Sequence, residues 1–214
     1  MNIKKFIKLF IPPLLIILLR NILKKLFNPK KKLFDGTDNI FVNNLTNDII
    51  YGEYGCGLST EYVLKNYSFP IYSVDSSKTW VNKFNKYQDR KNFKICSIEL
   101  GEIGDWGYPL SYNNRKNFNK YFNFIWKQKD KPNFVLIDGR FRVACFLTTL
   151  LNANVGTKIV FDDYPHRKHY HIVEEFILPV SINKRQALFI VDENVSLEFE
   201  KIKFELNNFT YVRD

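Results

Sequence analysis

The sequence predicts an α/β protein: a doubly wound, Rossmann-like sheet of seven strands with an antiparallel strand at its edge. Three observations predict it. A glycine turn joins an apolar strand to a helix start over 49–60, Ile-Ile-Tyr-Gly-Glu-Tyr-Gly-Cys-Gly-Leu-Ser-Thr. Apolar runs end in acids at Asp75, Asp138 and Asp162-Asp163. Between these runs lie stretches with helical spacing, and alternation of that kind packs helices on both faces of a parallel sheet, with the ligand crevice at the carboxyl ends of its strands.

The 214 residues suffice for one domain with a sizeable core and are too few for two ordinary ones. Residues 1–34 read as a basic amphipathic segment and 35–214 as the domain. Net charge is +10, yet nine bases precede the first acid, Asp35, and the remainder has 23 bases against 22 acids. The body is therefore near neutral, and no nucleic-acid partner is expected from the overall charge. Cys56, Cys96 and Cys145 are too widely spaced for a disulfide framework or a CxxC metal site, so they read as buried thiols in the cytoplasm.

In the N-terminal segment the apolar run 9–19 is shorter than the roughly 20 residues a spanning helix needs, and Pro12-Pro13 interrupts it. From Pro13 onward, Leu14, Leu15, Leu18, Leu19, Ile22, Leu23, Leu26 and Phe27 share a face opposite Arg20, Asn21, Lys24 and Lys25. Such a helix suits the surface of an anionic membrane, reached through 1–32 on its inner face. A signal peptide without a small-residue cleavage site, and a helix packed on the domain or on a partner, stay open beside that reading.

The elements follow in order. Residues 35–48 form a polar approach with a short helix. The first strand runs into the glycine turn; there Gly55 and Gly57 allow positive φ and close approach of a ligand, and Ser59 or Thr60 caps the helix over 61–67. A strand over 71–75 ends in Asp75, placed to accept from both hydroxyls of a ribose. A helix over 78–87 buries Trp80, Val81, Phe84 and Tyr87, and a third strand spans 93–98. The long connection 101–132 carries Trp106, Tyr108 and Tyr112, either as core or as lining for an acceptor pocket, and an aromatic helix over 121–126. The fourth strand, 134–138, is a continuous apolar run that ends in Asp138, as a central parallel strand does when its tip is used for chemistry; a helix over 143–151 follows. The fifth strand, 158–163, leads to a helix over 169–177. Segments 186–191 and 209–213 suit a sixth strand and an antiparallel seventh, and 196–206 fits neither period.

The glycine spacing separates two cofactor classes. A dinucleotide site has a third glycine where this chain has Thr60. The pattern Glu53-x-Gly55-x-Gly57 followed by Ser59-Thr60 resembles motif I of the class I S-adenosylmethionine-dependent methyltransferases, and Asp75 stands where that family keeps its ribose-binding acid. The resemblance covers about 45–192 and implies a class I methyltransferase sheet, S-adenosylmethionine as cofactor, and Glu53, Gly55, Gly57, Ser59, Thr60 and Asp75 as its binding residues. Asp138, Asp162 and Asp163 resemble the acids of catechol-type and sugar O-methyltransferases, which implies Mg²⁺ held by these three. It also implies methylation of a hydroxyl on a small molecule or saccharide. Asp138 and Asp163 are then catalytic, and His166, just after the acidic strand tip, is the first choice of general base beside a plain exposed loop role.

Arg140 and Arg142 depart from the pattern, because those families carry an acid or a histidine just after Asp-Gly. Two readings follow: an anionic acceptor held by Arg140, Arg142 and Trp106, or arginines paired with Asp138 or Asp163 and no metal site. The runner-up for the whole chain is a non-catalytic nucleotide-binding or scaffold protein. An NAD-dependent reductase is disfavoured by the glycine pattern.

Overall fold

The structure, a computed structural model, describes residues 32–214. The amphipathic helix expected from Pro13 onward lies outside the described residues. The chain divides into two units, Met1–Gly36 and Thr37–Asp214; the described part of the first is a short turn, Leu33–Gly36, with Phe34 and Asp35 at positive φ.

The second unit is a seven-stranded sheet of order β3-β2-β1-β4-β5-β7-β6. Its strands are β1 (Tyr51–Tyr54), β2 (Ile71–Asp75), β3 (Phe93–Ser97), β4 (Phe134–Ile137), β5 (Lys158–Asp162), β6 (Ser181–Asn183) and β7 (Gln186–Ile190). The first five are parallel, and β7 runs antiparallel to both β5 and β6. The helices are α1 (Asn39–Asn43), α2 (Leu58–Asn66), α3 (Lys78–Val81), α4 (Phe118–Asn123), α5 (Arg142–Asn152) and α6 (Phe199–Phe209). This is the α/β class I methyltransferase fold that the sequence predicts.

Strand alternation sorts the side chains. Tyr54, Tyr72, Val74, Val135, Ile137, Ile159, Phe161, Ala187 and Phe189 face one side and join the main core with Tyr121, Phe146 and Ile202 from α4, α5 and α6. Helix α5 is buried over most of its circumference because it lies between the sheet and α6, and nine of its residues are buried. On the other side Phe41 of α1 packs edge-on against Tyr51 and Phe134.

Four expectations change. The helix after the glycine turn starts at Leu58, and its N-cap is Gly57. Thr60, at the third helical position, instead accepts from the Gly57 N–H at 2.9 Å. The 78–87 helix is one α-turn followed by 3-10 turns over Asn82–Tyr87, and the stretch over 169–177 is 3-10, Lys168–Glu175. The expected strand over 209–213 is the end of α6 and the coil beyond it. The antiparallel strands are instead a hairpin closed at Lys184-Arg185, with Lys184 at φ 52° in place of a glycine. Segment 196–206 is ambiguous as sequence because Leu197 and Phe204 are exposed while Ile202 is buried. Those two apolar residues on the wet face blur the helical period.

Candidate functional site

The glycine turn and the end of β4 meet. Gly55 has φ +90°, and a Cβ there would lie 2.7 Å from Gly139 Cα. A Cβ on Gly139 would meet the Tyr121 hydroxyl and lie 2.7 Å from Gly55 N. Only two glycines allow these backbones to come so close. Gly57 differs: a Cβ there would meet nothing within 4 Å, so this part of the turn faces open space.

Asp75 ties the turn to β2. Its carboxylate accepts from Cys56 N at 2.8 Å and from Ser77 N at 2.7 Å, each oxygen keeping acceptor capacity. Burial pushes the Asp75 carboxyl up, while the Ser77 and Cys56 backbone donors pull it down. The loop after β3 closes against the next residue, where Ser76 Oγ donates to Gly107 O at 2.9 Å.

Glu53 points away from the turn's open side, into the layer beneath α2. It is fully buried and accepts from Ser59 Oγ, from Thr60 Oγ1 at 2.6 Å and from Ser73 Oγ at 3.0 Å. The parallel register sets Ser73 directly beside Glu53, so one carboxylate clamps β1, β2 and the first turn of α2. Ser59 and Thr60 thus act through Glu53.

Burial raises the Glu53 pKa from 4.5 to about 7, against the hydroxyl bonds that lower it. Between those values the unfolded chain releases this proton and the folded chain keeps it. Glu53 therefore contributes stability that is full below pH 4.5 and is lost as pH rises to about 7. The loss is on the order of 3 kcal/mol. E53Q, which cannot ionise, should gain stability relative to the parent as pH rises across this window in urea titrations at pH 5, 6, 7 and 8. A difference that stays flat with pH would refute the assignment.

The acids at the tips of β4 and β5 are held by arginines. Arg142, its side chain 4% exposed, reaches Asp138 Oδ1 at 3.1 Å and Asp163 Oδ2 at 3.4 Å. It also donates to Gly139 O at 3.0 Å and Asp162 O at 2.7 Å. Burial works against its charge, but Asp138, Tyr170, Asp163 and Asp162 more than offset it and raise its pKa. Arg167 Nη2 lies 2.8 Å from Asp163 Oδ2. Arg185 Nη2 bridges Asp162 Oδ2 at 2.5 Å and Asp163 Oδ1 at 2.7 Å.

Alternation along an extended strand would send Asp162 and Asp163 to opposite faces. Asp163 takes φ 58°, outside the strand, and so both converge on one guanidinium. Burial and the charge of Asp138 push the Asp162 carboxyl up, against Arg185 and Arg142.

The expected Mg²⁺ site at Asp138, Asp162 and Asp163 is therefore corrected. Among the described residues no three His, Cys, Asp or Glu side chains gather as metal ligands. Cationic guanidinium groups stand where the metal would have to be, and this donor set does not fit it.

His166 is exposed in the turn after β5, with no hydrogen bond or ion pair among the described residues to orient it. The other two histidines face carboxylates, His169 Nε2 lying 3.7 Å from Asp214 Oδ2 and His171 Nδ1 4.0 Å from Glu174 Oε1. Trp106 stands in the loop after β3 with φ 58° and is 87% exposed. Tyr108 and Tyr112 instead pack on the Arg213 guanidinium, 5.2 and 4.2 Å from their ring centres. A cavity of about 140 Å³ lined by Gly57, Leu58, Trp80 and Phe84 adjoins the turn; it is smaller than the roughly 300 Å³ at which cofactor-sized sites begin.

Sequence reasoning missed Arg167, Arg185, Tyr121 and Asp214. Arg167 alone had a local signal, standing four residues after Asp163 and pairing with it at that spacing.

This strand order, five parallel strands with an antiparallel hairpin at the edge, is that of the class I methyltransferase fold. Neither a known family profile nor a curated protein sequence matches the chain. Among solved structures it is similar to a methyltransferase-like protein from Silicibacter pomeroyi, with 26% identity and a TM-score of 0.63, covering 78% of this chain and 93% of that one. A methyltransferase from Geobacter sulfurreducens aligns at 9% identity and TM-score 0.46, covering 88% and 95% of the two chains. The N-methyltransferase NodS from Bradyrhizobium japonicum aligns at 12% and 0.44, covering 75% and 97%. These last two are too remote for comparison of individual residues. The likeness to the first supports a methyltransferase in general.

Proposed function

We propose that the chain is an S-adenosylmethionine-dependent methyltransferase that modifies a hydroxyl of a small molecule or saccharide. The observation that carries this reading is Asp75. It is fixed by the Cys56 and Ser77 N–H groups at the end of β2, with acceptor capacity left on both oxygens, beside a turn that is open at Gly57. These residues fit a ribose and the chain leaving it. Gly55 and Gly57 give the ligand room and Asp75 takes its hydroxyls, while Glu53, Ser59 and Thr60 hold the turn.

The cofactor would supply a methyl group on a sulfonium. The chain's own part is to hold the acceptor oxygen in line and take its proton as the O–C bond forms and the C–S bond breaks. Asp138 suits that step best, since its side chain is 31% exposed and only Oδ1 is bound to Arg142. Asp163, which faces three arginines, fits better as part of the frame. The arginine pairing of the acids at the tips of β4 and β5 also favours a second reading, a nucleotide-binding protein without transfer chemistry. D138N separates the two: it should abolish transfer and leave cofactor affinity intact in the first.

Asp75→Ala tests the cofactor. A hydrogen bond to a charged acceptor contributes about 1.5–3 kcal/mol, so calorimetry should find S-adenosylhomocysteine bound roughly ten- to a hundredfold more weakly. Unchanged affinity in a folded variant would count against the assignment.

Membrane association through 1–32 rests on the nine bases that precede Asp35. No described helix is long and apolar enough to cross a membrane. Vesicle sedimentation should show binding that requires anionic lipid, weakens with salt and is lost on deleting 1–32. Equal binding to neutral vesicles removes the idea.

A further inference from the structure

We infer that Arg140 is the seat of an oxyanion, a carboxylate or phosphate that a ligand brings into the crevice. The inference deepens the proposed cofactor reading and rests on it for the location of the crevice. Arg140 directly follows Gly139, the residue packed against Gly55, so it stands at the carboxyl edge of the adjacent strands β1 and β4. Its main chain is fixed on both sides. The N–H donates to Tyr121 Oη at 3.2 Å, and the carbonyl accepts from Cys145 Sγ at 3.3 Å.

The side chain is in a different state. Among the described residues the Arg140 guanidinium makes no ion pair or hydrogen bond, and its Nε is enclosed without an acceptor. Two residues on, every nitrogen of the Arg142 guanidinium has a partner. An enclosed donor left unmatched costs free energy, and native structures rarely leave one so.

The neighbouring acids are engaged elsewhere. Asp75 takes Cys56 N and Ser77 N, Asp138 Oδ1 takes Arg142, and Asp163 takes Arg142, Arg167 and Arg185. On the same edge of the sheet the nine-residue helix α2 begins at Leu58 with Gly57 as its N-cap, and its first-turn amides have no acceptor within the helix. An anion is favoured at that end of the helix dipole. A planar guanidinium with unmatched donors is suited to grip a carboxylate or phosphate on two oxygens. The competing fate of the side chain is Asp214, whose Oδ2 also lacks a hydrogen-bond donor; pairing there would make Arg140 structural.

Two sources can supply the oxyanion, the amino-acid end of the cofactor or the acceptor. The test compares the full-length parent with R140Q by thermal unfolding and by calorimetry with S-adenosylhomocysteine, 5′-methylthioadenosine and inorganic pyrophosphate, the last in the presence of saturating methylthioadenosine. Methylthioadenosine keeps the nucleoside and thioether but has no carboxylate. R140Q should unfold at the same temperature as the parent or higher. If the cofactor supplies the anion, R140Q weakens S-adenosylhomocysteine roughly ten- to a hundredfold and leaves methylthioadenosine unchanged. If the acceptor supplies it, both nucleosides are unaffected and pyrophosphate binding is lost. Either result supports the seat.

A midpoint lowered by several degrees, or three unchanged affinities, overturns the inference and leaves the cofactor reading standing. A parent that binds neither nucleoside but binds pyrophosphate through Arg140 overturns the cofactor reading and keeps the seat. A parent that binds none of the three overturns both.

Discussion

Replacing Arg142 with methionine should lower the thermal midpoint by about 6–20 °C. The side chain is almost wholly buried and joins the ends of β4 and β5, taking Asp138 and Asp163 by their carboxylates and Gly139 and Asp162 by their carbonyls. Methionine fills much of the volume and supplies none of the donors. Two carboxylates and three carbonyls, that of Asp138 included, then lose a partner in a region with little access to water. Breaking a buried ion pair from one side costs about 3–5 kcal/mol, and each kcal/mol moves the midpoint of a domain of this size by about 2–4 °C.

R142K should recover little, because one ammonium cannot present the fork that spans both strand tips. Arg167 and Arg185 remain on Asp163, so the loss should fall mainly on Asp138 and on the Gly139 and Asp162 carbonyls. The check is a melting curve for each variant. A midpoint within about 2 °C of the parent for R142M would show that the network contributes little.

This network also marks how far the sequence could be read. The sheet was legible because parallel strands buried on both faces appear as continuous apolar runs. Phe134-Val-Leu-Ile is fully buried, and so is Ile159-Val-Phe of β5 beside it. The glycine turn and Asp75 were legible because a close backbone approach and an acid at a fixed offset are local constraints. The partners of the strand-tip acids were not. Arg185 comes from a hairpin more than twenty residues beyond Asp162, and its turn is closed by Lys184 with positive φ rather than by a glycine that would have signalled it.

Charge type alone left Asp138, Asp162 and Asp163 equally suited to a metal or to arginines. The choice depended on where distant guanidinium groups arrive in space. Glu53 shows a subtler limit. Its place in the glycine motif suggested contact with a ligand, whereas strand alternation turns it to the opposite face, where Ser73 of the adjacent strand meets it. That pairing requires the register of β1 against β2, which no single segment encodes.

Gly139→Ala is expected to have the other large effect, since it strikes where the backbones after β1 and β4 are in contact. The added methyl would collide with the Tyr121 hydroxyl and lie 2.7 Å from Gly55 N and 2.8 Å from the Tyr54 carbonyl carbon. The tyrosine is fully buried beneath Phe141, and the other two atoms belong to backbone held by β1 pairing. None can retreat without moving the turn. Overpacking of this kind costs about 1–3 kcal/mol and more where the neighbours are rigid, so a loss of about 3 kcal/mol is expected.

The turn that must move also carries Cys56 N onto Asp75, so S-adenosylhomocysteine affinity should fall with stability. Y121F removes the hydroxyl while leaving Gly55 N and the Tyr54 backbone in place. In a double-mutant cycle it should therefore recover part of the G139A loss and no more. Full recovery would assign the whole clash to Tyr121 and release the glycine pair from any structural role. A stable G139A with parental affinity would mean that the β1 and β4 loops can separate, and that the crevice does not depend on their contact.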